Sequence, residues 1–186
     1  HGSDATYMET TAVRDGDEWV INGMKRWNSG LHHATHDIIF ARTSGEPGSP
    51  KGISAFLVPT DVPGFAVEFF WWTFNMPTDH AEVSLTDVRV GADALFGEAD
   101  RGLELAQHFV HENRIRQAAS SLGAAQYCID EAVAYANSRT TWGKKLSVNQ
   151  GIQFPLVELH TEAAMLRQLV RYTATMLDTK HHMEVT

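Results

Sequence analysis

Thr10-Thr11-Ala12-Val13-Arg14-Asp15-Gly16-Asp17-Glu18-Trp19-Val20-Ile21-Asn22-Gly23-Met24-Lys25-Arg26-Trp27 decides the fold of the first half of this chain. Strand-like runs at Thr10 to Arg14, Glu18 to Ile21 and Met24 to Trp27 are separated by Asp15-Gly16-Asp17 and Asn22-Gly23. Asp-Gly and Asn-Gly supply the positive φ of tight hairpins, so the stretch reads as three strands and two turns. Outward from it, strands are expected at Asp37 to Arg42, Ile53 to Val58, Phe65 to Phe70 and Ala81 to Val90, each bounded by Gly, Pro or Asp. No helix-length apolar period interrupts them, which predicts an antiparallel barrel or sandwich.

The pattern then changes. Between Gly102 and Arg139, Ala118, Leu122, Ala125, Ile129, Ala132 and Ala136 recur at helical intervals. A second series, Ile152, Leu156, Leu159, Ala163, Leu166, Val170, Thr173 and Leu177, alternates steps of four and three. Ser138 to Asn149 should connect the two helices, and Pro155 either occupies the first turn of the second helix or kinks it. The fold class is therefore α+β: an antiparallel β barrel or sandwich over residues 1–97, then long antiparallel helices of an incomplete bundle over 98–186. A helix pair with a continuous apolar seam rarely covers itself, so oligomerisation is expected; the alternative is a seam packed on the β domain.

Composition supports this division and excludes several classes. The chain has 186 residues, 43% hydrophobic and 20% charged, with a net charge of −8. Residues 1–97 carry 6 basic and 13 acidic side chains, 98–186 carry 9 and 10, and five of the six prolines lie in the first part. Such an acidic balance argues against a nucleic-acid surface, which needs clustered Lys and Arg. No run of about 18 apolar residues offers a membrane span. Lone Cys128 forms no internal disulfide, and no leader is visible after His1, so a cytoplasmic compartment is the expectation.

Several motifs carry chemistry, each with a plainer reading beside it. Trp27-Asn28-Ser29 ends a strand, where an indole, a hydroxyl and backbone N–H groups can meet a planar ring; by itself, Trp27 reads as a packing anchor. Arg114, preceded by His111-Glu112-Asn113, can bind an anion on a helix or form a structural salt bridge. Ser138 to Lys145 is basic, hydroxyl-bearing and aromatic, which suits a phosphate, although solvated loop lysines are common. His32, His33, His36 and Asp37 match no closed metal motif and read as a polar loop, and the His181-His182 pair is weaker still. Phe69 to Trp72 and Phe74 can line a pocket but read as β-domain core or interface. No nucleophile elbow appears, and Cys128 reads as a helix residue among apolar neighbours.

In order along the chain, these pieces resemble one family. Gly2-Ser3-Asp4, Trp19-Val20-Ile21-Asn22-Gly23-x-Lys25-x-Trp27, Ala41-Arg42-Thr43, Gly52 to Val58 and Val88-Arg89-Val90 resemble the middle β domain of acyl-CoA dehydrogenases. Arg114, Gly123, Arg139-Thr140-Thr141-Trp142-Gly143-Lys144 and Gln150 resemble the start of their C-terminal helical domain. The resemblance runs from residue 2 to about residue 178.

It implies an FAD enzyme that removes a proton α to a thioester and passes the β-hydrogen to flavin. By this resemblance Ser3 contacts flavin and substrate, and Trp27, Asn28 and Ser29 flank the isoalloxazine. His111, Glu112, Asn113 and Arg114 lie along the acyl-CoA. Arg139, Thr141, Trp142, Asn149 and Gln150 reach the FAD of a neighbouring subunit. The implied partners are an acyl-CoA thioester, electron-transfer flavoprotein or another electron acceptor, and either a homo-oligomer or a larger family partner. The resemblance also places an upstream helical domain, the catalytic glutamate and a Gly-Thr-Ser-type loop outside these 186 residues. Some members carry the base just before the helix Arg, but Asn113 stands there and cannot accept a proton as a base. Glu112 is one residue off, a turn of about 100° around the helix. The chain thus reads as a fragment of an FAD-dependent acyl-CoA dehydrogenase, inactive in isolation, with no catalytic residue identified and no metal. Alternatives are a non-enzymatic subunit completing a larger partner's site, or a related flavin oxidase or monooxygenase.

Overall fold

The computed structural model of the protein describes residues 2–74 and 76–179; His181 and His182 lie outside them. Strand β1 (Thr11–Asp15) turns through Gly16, at φ +60°, into β2 (Glu18–Ser29), with Asp15 opposite Glu18. This is the expected hairpin, with a loop of two residues, Gly16 and Asp17. The second expected turn does not form: β2 runs unbroken through Asn22-Gly23, and the pairing register slips there by a bulge. Gly23 has φ +148°, and a Cβ on it would lie 2.6 Å from Thr10 Oγ1 and 2.7 Å from Thr10 Cα. Its glycine therefore serves a close backbone approach inside a strand rather than a turn.

The remaining strands are β3 (His36–Arg42), β4 (Ile53–Pro59), β5 (Phe65–Thr73) and β6 (Met76–Gly91). They form one six-stranded sheet in the order β4-β3-β1-β2-β6-β5. The expectation of an all-antiparallel sheet fails at one place, where β1 and β3 pair in parallel through Thr11 and Arg42. β2 runs back along β1, so a strand returning through residues 30–35 to the other side of β1 runs in the direction of β1. The end strands β4 and β5 do not pair with each other, so the sheet is open and sandwich-like rather than a closed barrel. Ile21, Ile39, Phe56, Val58, Val83 and Val88 are fully buried in one core. Trp19 meets Phe56 edge-on, with ring centroids 5.3 Å apart. Each such side chain contributes roughly 1.5–3 kcal/mol of hydrophobic stabilisation.

The chain divides into two compact units, His1–Gln107 and His108–Thr186. Helix α1 (Gly102–Ser138) begins in the first, where the Asp100 N–H donates to Ser54 Oγ at 2.8 Å. In the second unit α1 packs antiparallel to α2 (Gln150–Thr179) around Leu122, Ile129 and Ala163, and Arg167 donates to Gln126 Oε1 at 2.8 Å. The α1 seam is narrower than its periodicity suggests: Leu122, Ile129 and Ala136 are buried while Ala125 and Ala132 are exposed. On α2, Leu159 and Leu166 of the expected seam stay exposed, as do Phe154, Val157, Met165, Leu169 and Tyr172. One partner helix covers only one stripe of a helix this apolar. Pro155 sits in the second turn of α2, not the first, and cannot donate to the Gly151 carbonyl. Cys128 is exposed rather than packed among apolar residues. No helix of the described residues is long and apolar enough to cross a membrane.

Candidate functional site

The segment Gly2-Ser3-Asp4 leads into a short 3-10 turn, Ala5–Tyr7, capped by the Asp4 carboxylate, which accepts from Thr6 N–H at 3.0 Å. Buried Arg42 fixes that turn to β3. Its guanidinium donates to the carbonyl oxygens of Thr6 at 2.5 Å, Lys51 at 3.1 Å, and Ser44 and Ser49 at 3.2 Å. The fork of an arginine is suited to gathering several carbonyls from different loops. Between this turn and β2 runs a groove of about 580 Å³, lined by Gly2, Asp4, Tyr7, Met24, Lys25 and Trp27 among others. The sequence-derived candidate Trp27 therefore lines this concavity, together with Gly2 and Asp4 on either side of Ser3 in the chain.

Trp27 is 53% exposed and packs against Trp71, with ring centroids 4.6 Å apart and planes tilted by 51°. Of the aromatic run read as core or interface, Trp71 thus supports the site. Phe70 stacks on His32 at 3.7 Å, and Phe74 is 98% exposed. Beyond Trp27, Asn28 donates a short hydrogen bond to Asp37. Burial raises the Asp37 carboxyl above its ordinary range, opposed by the Asn28 bond, the Ile38 N–H and the nearby Lys25 charge. Burial also pushes the Lys25 ammonium down to about 8, against the pull of Asp37. Ser29 Oγ lies 2.6 Å from His80 Nδ1 across the β2–β6 ladder. Sequence reasoning gives no signal for His80, because it meets Ser29 only across the β2–β6 ladder, on a strand distant in the chain.

These residues suit a flavin. Its ring is planar with apolar faces and a polar edge, and the strand end offers a half-exposed indole followed by a hydroxyl and an amide.

The helix candidates sit apart in chain terms, on α1. His111 is buried, and its Nδ1 has no hydrogen-bond partner among the described residues. Asn113 Oδ1 accepts from Arg116 at 2.6 Å, while Glu112 and Arg114 are exposed. The salt bridge that residue chemistry suggests for Arg114 is absent among the described residues.

Arg139 to Lys145, expected as a simple connection, is a tight hairpin of β7 (Thr140–Thr141) and β8 (Lys144–Lys145). Its two turn residues, Trp142 and Gly143, have φ +50° and +77°. Such turns favour Asn-Gly, and a tryptophan at positive φ is rare enough to suggest a functional requirement. The Trp142 side chain is 97% exposed. Leu146 N–H donates to Arg139 O at 2.8 Å, Lys145 Nζ to Ser138 O at 3.1 Å and Asn149 Nδ2 to Leu146 O at 2.9 Å, which locks the hairpin onto the first residue of α2, Gln150. Arg139, Thr141, Trp142, Asn149 and Gln150 are thereby gathered at one junction. Among the described residues no three His, Cys, Asp or Glu side chains converge to hold a metal.

Comparison with known proteins extends this picture over nearly the whole sequence. The family model of the acyl-CoA dehydrogenase middle domain matches residues 1–88, and that of the acyl-CoA dehydrogenase C-terminal domain matches 100–186. The chain is 35% identical over 181 residues to the mitochondrial short-chain specific acyl-CoA dehydrogenase of Bos taurus, covering 97% of this chain and 44% of that protein. It is 32% identical over 177 residues to acyl-CoA dehydrogenase FadE12 of Mycobacterium tuberculosis, covering 95% and 46%. A glutaryl-CoA dehydrogenase from Mycobacterium smegmatis, solved in complex with FADH2, superposes with a TM-score of 0.85 at 30% identity, covering 96% of this chain and 45% of that one. The chain thus spans about half the length of the curated relatives it matches. Two consecutive domain matches, in the order the strands and helices follow, show that this chain belongs to the acyl-CoA dehydrogenase family.

Proposed function

We propose that this chain forms the middle and C-terminal part of an FAD-dependent acyl-CoA dehydrogenase that acts on the CH–CH bond next to a thioester carbonyl. The observation that carries the reading is the groove where the Arg42-held Gly2–Asp4 segment meets the half-exposed Trp27. Bound FAD supplies the acceptor for a β-hydrogen leaving as hydride. Trp27 would pack against the flavin ring and Ser29 would offer a hydrogen bond to its edge, with Asn28, whose amide is held by Asp37, between them in the strand, and Ser3 would contact flavin and thioester. Exposed Arg114 offers a fixed cation to an acyl-CoA phosphate or carboxylate. The basic hairpin at Arg139 to Lys145 serves the FAD of a second subunit, and the exposed apolar side chains of α2 support such an assembly. Electron-transfer flavoprotein or another electron acceptor would be the partner that takes up the electrons.

Removing the α-proton needs a carboxylate within reach of that carbon. Asn113 has no such chemistry, and its amide oxygen is engaged by Arg116. Glu112 lies about 100° around the helix from Asn113 and is a poor substitute, so no described residue is assigned as the base. Mixing the purified 186-residue chain with FAD, an acyl-CoA and an artificial electron acceptor should give flavin uptake without turnover. Turnover that disappears in Glu112→Gln would overturn the assignment of the base, and failure to take up flavin would overturn the reading itself.

A further inference from the structure

The Ser29 hydroxyl has one hydrogen and more than one acceptor for it. Its Oγ lies 2.6 Å from His80 Nδ1 and 3.4 Å from the Trp27 carbonyl, and Ser29 is exposed at the strand end where the flavin reading puts a ligand. Ser29 and His80 are direct partners in the β2–β6 register, so the contact is fixed by two backbones rather than by flexible loops. A hydroxyl donates once and accepts twice, whereas an imidazole nitrogen either carries a hydrogen or accepts one.

We propose that His80 is a positioning residue that sets the direction of the Ser29 hydroxyl hydrogen, and through it the hydrogen bond offered to the flavin edge; this rests on the flavin reading above. With Nδ1 bare, the 2.6 Å contact draws the hydrogen toward His80, and Ser29 presents only lone pairs to the groove. With a hydrogen on Nδ1, His80 donates, Oγ accepts, and the Ser29 hydrogen turns away from His80, where an acceptor on the ligand competes only with the long 3.4 Å contact to the Trp27 carbonyl. Asp79 Oδ1 lies 3.8 Å from Nδ1. The Arg26–Glu82 pair, 2.6 Å apart, lies further along the same ladder, beyond Asn28–Ala81 and a register shift, and largely balances its own charge.

Two measurements test this on wild type, Ser29→Ala, His80→Ala and the double variant. NMR of the His80 ring in the flavin-free protein reports the contact itself: its titration should shift when Ser29 is removed. FAD titration from about pH 5.5 to about pH 8.5 reports the consequence: wild-type affinity should fall about three- to tenfold as His80 loses its proton, as expected for one hydrogen bond. That step should vanish in both single variants, and the double variant should bind no more weakly than Ser29→Ala. A His80 titration indifferent to Ser29 would overturn the proposal. A pH step that survives His80→Ala, in a protein whose FAD affinity Ser29→Ala lowers, would overturn it while leaving the flavin reading intact. Absence of FAD uptake at every pH removes both.

Discussion

Arg42 Nη2 lies 2.5 Å from the carbonyl oxygen of Thr6, joining the middle of the sheet to the turn that carries Gly2, Ser3 and Asp4. Arg42 is buried, and the three other carbonyls it serves lie in the segment Ser44 to Lys51. Arg42→Met keeps much of the side-chain volume but leaves part-buried carbonyls unpaired. The expected cost is about 2–4 kcal/mol in urea unfolding, with a loss of FAD affinity because the groove loses one wall. Arg42→Lys should recover only part of it, since an ammonium lacks the planar fork.

Gly23 and Gly16 both have positive φ, but only Gly23 is crowded by another strand. Gly23→Ala drives its new methyl into Thr10 and should cost roughly 2–4 kcal/mol. Gly16→Ala meets nothing within 4 Å and should cost about 1 kcal/mol, the penalty for left-handed backbone alone. Unfolding midpoints of the two variants measure the difference directly.

Lys25 gives the β unit a pH signature. Burial lowers its folded-state value from 10.5 to about 8, so between these values the unfolded chain binds a proton that the folded chain does not. Stability from this group is therefore fully present above 10.5 and is lost as pH falls toward 8. The slope approaches about 1.4 kcal/mol per pH unit in the middle of that window. Lys25→Met should flatten that part of the profile, as read from urea midpoints at several alkaline pH values.

Trp142 holds a positive φ that its side chain does not favour. Trp142→Asn should raise thermal stability by up to about 1 kcal/mol, because asparagine suits this turn position. If the indole serves a flavin on a second subunit, the same variant should bind FAD less tightly in the assembled protein. Stability and flavin content measured together separate the two effects.

The strands and helices were legible because their signals are local: alternation and turn residues in the first unit, three-and-four spacing in the second. Asn22-Gly23 misled because the same dipeptide that makes a hairpin also permits a bulge, and only Thr10 on the neighbouring strand decides between them. The parallel pairing of β1 with β3 has no local signature. Within the site, Trp27 and Ser29 could be named from their motif, whereas His80 and Trp71 enter through cross-strand contacts. Arg42 stood in the motif too, but its work as a clamp depends on four carbonyls that sequence alone does not bring together.

We propose that FAD is held at the end of β2, at the groove that Trp27 lines with Gly2 and Asp4, with Ser29 two residues beyond Trp27. Titration of FAD into the protein, followed by flavin absorbance and quenching of tryptophan fluorescence, tests it most directly when repeated on Trp27→Ala and Ser29→Ala. The account predicts saturable binding that weakens about three- to tenfold in Ser29→Ala and at least as much in Trp27→Ala. Binding of equal strength in all three proteins would contradict it.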